Sequence, residues 1–392
     1  MKKTLLENKQ VAIIGGGPGG LTLARLLQRK GVGVQVYERD FDKVVRVQGA
    51  TLDLHFESGL KAIEAAGLMD AFKAHYRPGA DRGRVVDKHA TIIYDEHNGE
   101  AADNDFNNEL FRPEIDRGDL RDLLLDSVKP DTIIWDSHLI NISPAGDAWK
   151  LEFKNGATVI ADIVIGADGA NSKIRPLVTA VKPFYAGITI LQGNVNDAET
   201  KAPGIHQLLK GGKIYAHSGG KYLHVSSKGD GSIDFYMSFK TDEAWARNSG
   251  IDFSSREQLL AWFETALAGW NRMWFELFAN VSLPLLIRPQ YCVPLDQTWE
   301  AQSNITLLGD AAHIMPPSGE GVNFAMLDAL ELSECLTSKD FGDIRTAIAA
   351  YEQQMRGKAA MEVQFSLDGV EWMHAEGATD KLIQMFNQIP GK

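Results

Sequence analysis

The sequence has few cysteines and no long apolar run. Its 392 residues contain 2 cysteines, Cys292 and Cys335, and the apolar context of each favours a buried thiol over a disulfide framework. The 10 histidines show no metal-ligand spacing such as His-Glu-x-x-His, so we expect no metal site. No apolar run approaches the roughly 18 to 20 residues of a membrane helix. The segment MKKTLLENK lacks the apolar stretch of a secretory signal.

Basic residues are fewer than acidic residues. Lys and Arg number 40 against 52 Asp and Glu, which gives a formal net charge of -12. An acidic surface repels phosphates unless a basic stripe overrides it, and none is present, so we expect no nucleic-acid partner. No oligomerisation stripe is obvious either. The composition predicts a cytoplasmic protein and a monomer.

Two stretches with different hydrophobic and turn patterns indicate two domains. VAIIGGG, LTLARLLQRKG and VGVQVYERD predict a strand, a helix and a second strand at the start of the chain. Between about Phe184 and Ile287, short β-like runs alternate with Gly-rich turns and predict an inserted antiparallel sheet. In the run IDFYMSFK, Asp234, Tyr236 and Ser238 share one face. Lys213, Tyr215, Tyr222 and His224 are candidates for the same face, which is either solvated or the wall of a pocket for a flat polar ligand.

A glycine motif at the first turn predicts a dinucleotide site. Gly15, Gly17 and Gly20 form Gly-x-Gly-x-x-Gly between strand and helix, with Glu38 at the end of the next strand. The glycines permit a tight turn and close approach of a pyrophosphate to a helix N-terminus, and Glu38 suits ribose hydroxyls.

A second signature favours a flavin over a nicotinamide. Gly309-Asp310 ends a predicted strand, and Ala-Ala-His-Ile-Met-Pro-Pro-Ser-Gly-Glu-Gly-Val-Asn leads into a helix. This layout places a carboxylate beside a polyol chain and free N–H groups near Gly321, Val322 and Asn323 beside a flavin ring. His313 within the motif is interpreted as a structural hydrogen-bonding group.

These segments resemble a known family. GGGPGG with Glu38-Arg39, the Asp168-Gly169 loop and GDAAH…PP…G-x-G-x-N are similar to the three fingerprints of the para-hydroxybenzoate hydroxylase class of flavin monooxygenases. YERD, GATLDLH, IDRGDLRDLLL, TIIWD, GDAAHIMPP and YEQQM further resemble the TetX-type tetracycline monooxygenases, in the same order. The resemblance implies an α/β fold: a Rossmann-like FAD-binding domain (1–180 and 288–340), an inserted antiparallel substrate sheet (181–287) and C-terminal helices bridging the two (341–392).

The resemblance also implies site residues. Those expected to bind FAD or to lie near NADPH are Gly15, Gly17, Gly20, Glu38, Arg39, Arg46, Asp53, Arg117, Asp168, Asp310, Pro317, Gly321, Val322 and Asn323. Those expected to contact substrate are Gln192, Lys213, Tyr215, His224, Asp234, Tyr236, Pro317, Gly319 and Phe324. Phe324, Trp372, Met373 and Phe386 are either an aromatic lid or core packing.

The chain departs from the TetX pattern in two places. Glu320 stands where the family usually has Gln in the flavin loop. Lys213, His224, Asp234 and Tyr236 stand where tetracycline-binding members tend to have Arg, Phe, His and Gly. Tyr236 adds bulk, and Asp234 replaces a possible cation by an anion.

The function implied is hydroxylation of a tetracycline-like or other polycyclic phenol or enol, using FAD, NADPH and O2 through a C4a-hydroperoxyflavin. No side-chain catalyst is required, because the cofactor supplies the chemistry. A hydroxylase of a different phenol or polyketide and a flavoprotein that only sequesters its ligand remain alternatives. A nicotinamide dehydrogenase leaves the GDAAH loop unexplained, and a flavin halogenase needs a Trp-x-Trp-x-Ile-Pro segment that the chain lacks.

Overall fold

The computed structural model describes residues 5–44, 49–98 and 105–388. The strands are β1 (Val11–Ile14), β2 (Val34–Tyr37), β3 (Leu52–Asp53), β4 (Gly83–Val86), β5 (Ile92–Asp95), β6 (Glu114–Ile115), β7 (Ile133–Ile134), β8 (Leu139–Ala145), β9 (Ala148–Phe153), β10 (Thr158–Ala161), β11 (Ile163–Gly166), β12 (Phe184–Val195), β13 (Lys213–Ser218), β14 (Lys221–Ser227), β15 (Ile233–Lys240), β16 (Leu286–Cys292) and β17 (Ile305–Leu307). The helices are α1 (Pro18–Arg29), α2 (Lys61–Ala66), α3 (Met69–His75), α4 (Arg117–Ser127), α5 (Arg175–Val178), α6 (Ala198–Lys201), α7 (Pro203–Leu209), α8 (Trp245–Asn248), α9 (Arg256–Ala266), α10 (Phe275–Asn280), α11 (Asp310–His313), α12 (Gly321–Thr337), α13 (Ile344–Met373) and α14 (Ala378–Asn387). Among the helices of this part of the chain, none is long and apolar enough to cross a membrane.

A parallel sheet carries the glycine motif. Its strand order is β17-β11-β1-β2-β7, and each neighbouring pair is parallel. Strands β1, β11 and β17 are buried at every residue, as expected of parallel strands covered on both faces. The predicted β-α-β unit and the two later strands, which end shortly before Asp168 and Asp310, are therefore confirmed, and their carboxyl ends lie at one edge of the sheet.

A seven-stranded sheet forms the second body of the fold, in the order β16-β12-β15-β14-β13-β4-β5. Strands β12 to β15 are the predicted inserted strands, and they pair antiparallel in the register that the alternation requires. The sheet also takes β4 and β5 from the segment 83–95, which was expected to belong to the FAD-binding part. Strand β4 pairs parallel with β13, so residues before 181 complete this sheet.

The two faces of the seven-stranded sheet differ in polarity. Ile214, Leu223, Val225, Phe235 and Met237 are fully buried and pack with residues of α7, α9 and α10. The other face is polar and aromatic, and its side chains contact Glu114 of β6, Ala50 and His374, which follows α13. A short antiparallel pair, β3 with β6, lies between the two large sheets.

The long helix α13 ties the two sheets together. It begins at a capped end, where Asp343 Oδ1 accepts a hydrogen bond from the Thr346 N–H at 2.8 Å. Tyr351 donates a hydrogen bond to the Leu307 carbonyl of β17, and His374, just beyond the helix, is hydrogen-bonded to Ser238 of β15.

Candidate active site

The glycine turn after β1 leaves room for a phosphate in front of α1. A Cβ on Gly15 would collide with the Ala167 carbonyl, and one on Gly20 would collide with the Gly15 carbonyl, so backbone packs on backbone there. A Cβ on Gly17, by contrast, would meet no atom of the described residues within 4 Å. Helix α1 has no side-chain cap, so its first N–H groups are free to bind an anion.

Glu38 braces this turn from the end of β2. Its carboxylate accepts hydrogen bonds from the N–H groups of Gly16 at 2.5 Å and Asp40 at 3.0 Å, and the residue is 2% exposed. Arg39 beside it is exposed. Arg46, expected near the nicotinamide cofactor, lies outside the described residues.

The Asp168 loop is joined to the Asp310 loop by Arg175, an arginine that was not predicted as a site residue. Arg175 donates to the carbonyls of Ala170 at 3.1 Å, Asp310 at 2.5 Å and Ala311 at 2.6 Å, and it is 7% exposed. Asp168 accepts a hydrogen bond from the Lys173 N–H at 2.7 Å and so shapes its own loop. The only signal in the sequence was the position of an arginine shortly after Asp168-Gly169.

The loop from β17 to α12 presents an open surface. Asp310, Pro317, Gly319 and Gly321 are exposed, and within the part of the chain that the structure describes a Cβ on either glycine would meet nothing within 4 Å. Helix α12 has no side-chain cap, so its first N–H groups, at Gly321 to Asn323, are available to a ligand.

His313 holds the start of this loop in place. It is hydrogen-bonded to Asp328 at 2.6 Å, and Asp328 also accepts a hydrogen bond from the Gly309 N–H at 2.8 Å. Burial acts to lower the pKa of His313, but the charge of Asp328 raises it above its ordinary value. Phe324 packs edge-on against His313, with ring centroids 6.0 Å apart.

Asn323 fastens α12 to strand β3. Its Nδ2 donates to the Asp53 carbonyl at 2.9 Å, and its Oδ1 accepts from the His55 N–H at 2.9 Å. Asn323 itself is fully buried. The His55 ring lies between the carboxylates of Asp53 and Glu320, at 3.0 and 2.7 Å. Backbone and side-chain contacts therefore join β3 to the start of α12.

These residues fit FAD. Two uncapped helix ends, α1 and α12, face open space at the carboxyl edge of the parallel sheet, as an anionic pyrophosphate and an electron-rich flavin edge require. Asp310 offers an exposed carboxylate for hydroxyls between them. We call the surface formed by the starts of α1 and α12 and by Asp310 the cradle. The charge of Arg117 acts to lower the pKa of both Asp310 and Asp234, so Arg117 lies between the cradle and the seven-stranded sheet.

The sheet face opposite this cradle carries a regular array, which we call the polar grid. Strand pairing aligns β13, β14, β15 and β12 so that their side chains form three rows. The rows are Lys213, Ser226, Asp234 and Asn194; then Tyr215, His224, Tyr236 and Gln192; then His217, Tyr222, Ser238 and Ile190. The predicted face therefore exists, and six of the residues expected to contact substrate lie in its first two rows: Gln192, Lys213, Tyr215, His224, Asp234 and Tyr236.

The polar grid contains many buried polar atoms that have no hydrogen-bond partner among the described residues. They are Gln192 Oε1, His217 Nδ1 and Nε2, His224 Nδ1, Ser226 Oγ and Asp234 Oδ2. Buried polar atoms are nearly always satisfied in folded proteins, so such a concentration on one face indicates a surface that a ligand completes. Burial lowers the pKa of His224 to about 3 and that of His217 to about 4, so both rings are neutral.

The first row of the polar grid is charged. Lys213 pairs with Glu114 of β6, a residue that is 1% exposed. Asp234 is also 1% exposed, and burial raises its pKa to about 6. Tyr236 is fixed in the second row, because its hydroxyl accepts hydrogen bonds from the Ala50 N–H at 3.2 Å and from Gln192 Nε2 at 3.3 Å.

Aromatic side chains from the C-terminal helices cover the far end of the grid. Phe386 stacks on Tyr94 and lies over Tyr215, with centroids 5.5 Å away in both cases. Trp372 lies 6.2 Å from His217. Of the four residues left open between a lid and core packing, Trp372 and Phe386 contact grid residues, whereas Phe324 packs on His313.

The chain is similar in sequence to known proteins. A family model described as "FAD binding domain" matches residues 8–115 and 296–366, which include the glycine turn and the Asp310 loop. The chain is 28% identical to Monooxygenase asqM of Emericella nidulans, over 90% of this chain and 93% of that protein. It is 29% identical to an FAD-dependent urate hydroxylase of Mycolicibacterium vanbaalenii, over 90% and 85% respectively. The protein is an FAD-dependent monooxygenase.

The resemblance to the tetracycline monooxygenases extends to the fold of this FAD-dependent monooxygenase. The crystal structure of the tetracycline destructase Tet(51) superposes with a TM-score of 0.72 and covers 99% of this chain and 95% of its own, at 18% identity. The predicted α/β fold is thus confirmed, and the match to the FAD binding domain model agrees with the predicted class of flavin monooxygenase. At this identity the likeness to Tet(51) concerns architecture, and the substrate is a separate question.

Proposed function

We propose that this FAD-dependent monooxygenase uses NADPH and O2 to hydroxylate a flat phenolic or enolic molecule, either tetracycline-like or another polycyclic aromatic compound. The observation that carries the proposal is the polar grid, where unpartnered polar atoms lie on a wall built from aromatic rings. A flat ligand suits such a wall because its faces meet aromatic groups while its edges meet hydrogen-bonding groups.

The grid favours a ligand whose edge donates hydrogen bonds. Gln192 is oriented by the bond from its Nε2 to Tyr236, so its free Oε1 points an acceptor at the site. Asp234 Oδ2, in the adjacent row, is a second acceptor that has no partner among the described residues. O–H or N–H groups on the substrate would satisfy both, and an edge made only of acceptors would leave them buried and unpaired.

The reaction adds one oxygen atom of O2 to a substrate carbon, while NADPH supplies two electrons and the other oxygen leaves as water. FAD bound at the cradle would supply the redox chemistry. The protein's own residues would hold the substrate against the grid through Gln192 and Asp234 and exclude water with Tyr236 and Phe386. The N–H groups at the start of α12 would stabilise negative charge on the cofactor.

The test uses the purified, FAD-loaded protein. NADPH and O2 consumption is measured with tetracycline and with urate, and the products are examined by mass spectrometry. We expect one of these donor-bearing compounds to stimulate NADPH oxidation and to gain one oxygen atom. We expect Q192A to raise KM about tenfold through loss of one buried hydrogen bond, with kcat changed less. The matched variant N196A, at an exposed position just beyond β12, should behave as wild type.

Two results would contradict the proposal. In the first, NADPH is oxidised, the product is hydrogen peroxide and both compounds are recovered unchanged. That result would show that neither tetracycline-like nor urate-like molecules are substrates. Tight binding of tetracycline without any NADPH oxidation would favour the alternative, a flavoprotein that sequesters its ligand.

A further inference from the structure

A histidine sits between two acidic residues beside the flavin cradle. Asp53 ends β3, His55 follows two residues later, and Glu320 immediately precedes α12. Their side chains are only 27%, 13% and 21% exposed, so solvent screens their charges weakly. Glu320 departs from the family's Gln, and no sequence pattern assigns it a partner. The structure gives it one.

The geometry fixes the charge of the histidine. His55 Nε2 lies 3.0 Å from Asp53 Oδ2, and Nδ1 lies 2.7 Å from Glu320 Oε1. A carboxylate only accepts hydrogen bonds, so both ring nitrogens must donate, and only the imidazolium carries a proton on each. Burial acts against the cation, but the hydrogen bonds to Asp53 and Glu320 raise the pKa of His55 to about 9.

No other described charged group near His55 takes its place as the cation paired with Glu320. Glu362 of α13 lies near both His55 and Glu320, and its burial raises its own pKa. The charge of Lys213 on β13 also acts to lower the pKa of Asp53, although Lys213 is already paired with Glu114. Among the described groups that face Glu320, His55 is therefore the cation in direct contact.

The pair lies where charge on the cofactor would matter. Glu320 occupies the cap position of α12, and its side chain does not cap the helix but turns to His55. Asn323, in the first turn of α12, holds the backbone of Asp53 and His55. An uncompensated carboxylate at this helix end would oppose the gain of negative charge by a flavin bound there.

We propose that His55 is a positioning residue that, as an imidazolium, anchors the Glu320-Gly321 turn to β3 and neutralises Glu320 at the cofactor's electron-accepting edge. The proposal rests on FAD lying at the N-terminus of α12, and it makes no use of the substrate. It explains how this chain carries Glu where an uncharged Gln is usual: the added negative charge is matched by a positive one.

The test measures the FAD dissociation constant and the midpoint potential of bound FAD. In H55Q we expect FAD to bind about tenfold more weakly, as charges at helix ends allow, and the potential to be more negative. In E320Q we expect a more positive potential, because one negative charge is removed. The double variant H55Q/E320Q should return to near the wild-type potential. H138Q, at an exposed histidine, is the matched control.

A pH series separates this role from a structural one. The wild-type potential should fall further as the pH rises through about 9, where His55 loses its proton, and H55Q should lack this extra fall. Unchanged potential and affinity in H55Q would overturn the proposal, as would a double variant that stays as low as H55Q. Should H55Q fail to fold, E320Q decides alone: a more positive potential supports the proposal and an unchanged one overturns it. Loss of hydroxylation with these shifts intact would count only against the proposed function.

Discussion

At the scale of single residues, Asp234 is a carboxylate that the fold holds at a cost in stability. Burial raises its pKa from 3.8 to about 6, and one of its oxygens has no partner among the described residues. Because the folded pKa lies above the unfolded one, the folded protein binds the proton more tightly, so the penalty is absent below about pH 4 and complete above about pH 6. A residue that opposes folding at neutral pH is typical of a binding site.

We predict that D234N is more stable than wild type at pH 8, by about 1 to 3 kcal/mol, since two pKa units correspond to roughly that penalty. The advantage should shrink as the pH falls from 6 to 4. Denaturant unfolding at pH 8 and pH 4 measures it. The same variant should raise the substrate KM. Asp230, four residues earlier, is the matched control: hydrogen bonds from Ser232 outweigh desolvation and lower its pKa, so D230N should lose stability at pH 8.

Residues on one strand were predictable, and contacts between distant segments were not. The period of two along β15 is enough to place Asp234, Tyr236 and Ser238 on a common face. The partner of Glu320 is His55, which lies in the first third of the chain, and no local pattern joins them. Arg46 lies outside the described residues, so its role stays a prediction.

At the scale of elements, Arg175 couples the two loops that follow β11 and β17. Its guanidinium reaches three carbonyls, of Ala170, Asp310 and Ala311, through hydrogen bonds no longer than 3.1 Å. Burial lowers the pKa of Arg175 from its ordinary value. The position of Asp310 therefore depends on a residue that need not touch the cofactor.

We predict that R175A loses about 3 kcal/mol of stability, because buried carbonyls are left without donors. FAD affinity should fall as well, since the Asp310 loop is released. R175K keeps the charge but lacks the planar fork that reaches several carbonyls, so it should lie between R175A and wild type. Thermal unfolding and FAD titration check both variants. Full FAD affinity in R175A would show that the Asp310 loop is positioned by other contacts, such as those of His313.

Most strands and helices could be predicted from the sequence, whereas the pairing of strands from distant segments could not. The β-α-β start, the strands before Asp168 and Asp310 and the antiparallel run from β12 to β15 follow from hydrophobic periodicity and turn residues. The addition of β4 to β13 joins segments that no turn connects. Such pairing depends on the shape of the finished sheet and leaves no local signal.

At the scale of the whole molecule, the cradle and the polar grid belong to different sheets, and the C-terminal helices hold them in register. Helix α13 is bonded to β17 through Tyr351, and Ser366 donates a hydrogen bond to the Pro316 carbonyl at 2.6 Å. His374 reaches Ser238 of the grid at 2.8 Å. Helix α13 is therefore one of several contacts that join the two sheets, together with the Lys213–Glu114 pair and the hydrogen bond from the Ala50 N–H to Tyr236.

Helix α14 contributes differently, because it covers the grid without being buried itself. Ala378 is the one buried residue of α14 among those described. The helix contacts β4, β13 and α13. Phe386 is its contact with the grid, through Tyr215. Removing a helix that buries so little of itself should cost little stability, whereas uncovering Tyr215 should open the end of the substrate wall.

We therefore predict that truncation after Gly377 lowers the melting temperature by only about 2 °C and leaves FAD affinity unchanged, while KM for tetracycline or urate rises about fivefold, as loss of aromatic contacts allows. The full-length variant F386A is the matched control, because it removes the ring and keeps the helix. It should reproduce most of the KM change. Loss of FAD from the truncated protein would instead assign α14 to the stability of the cradle, and an unchanged KM would mean that the substrate lies nearer the first row of the grid, against Asp234 and Gln192.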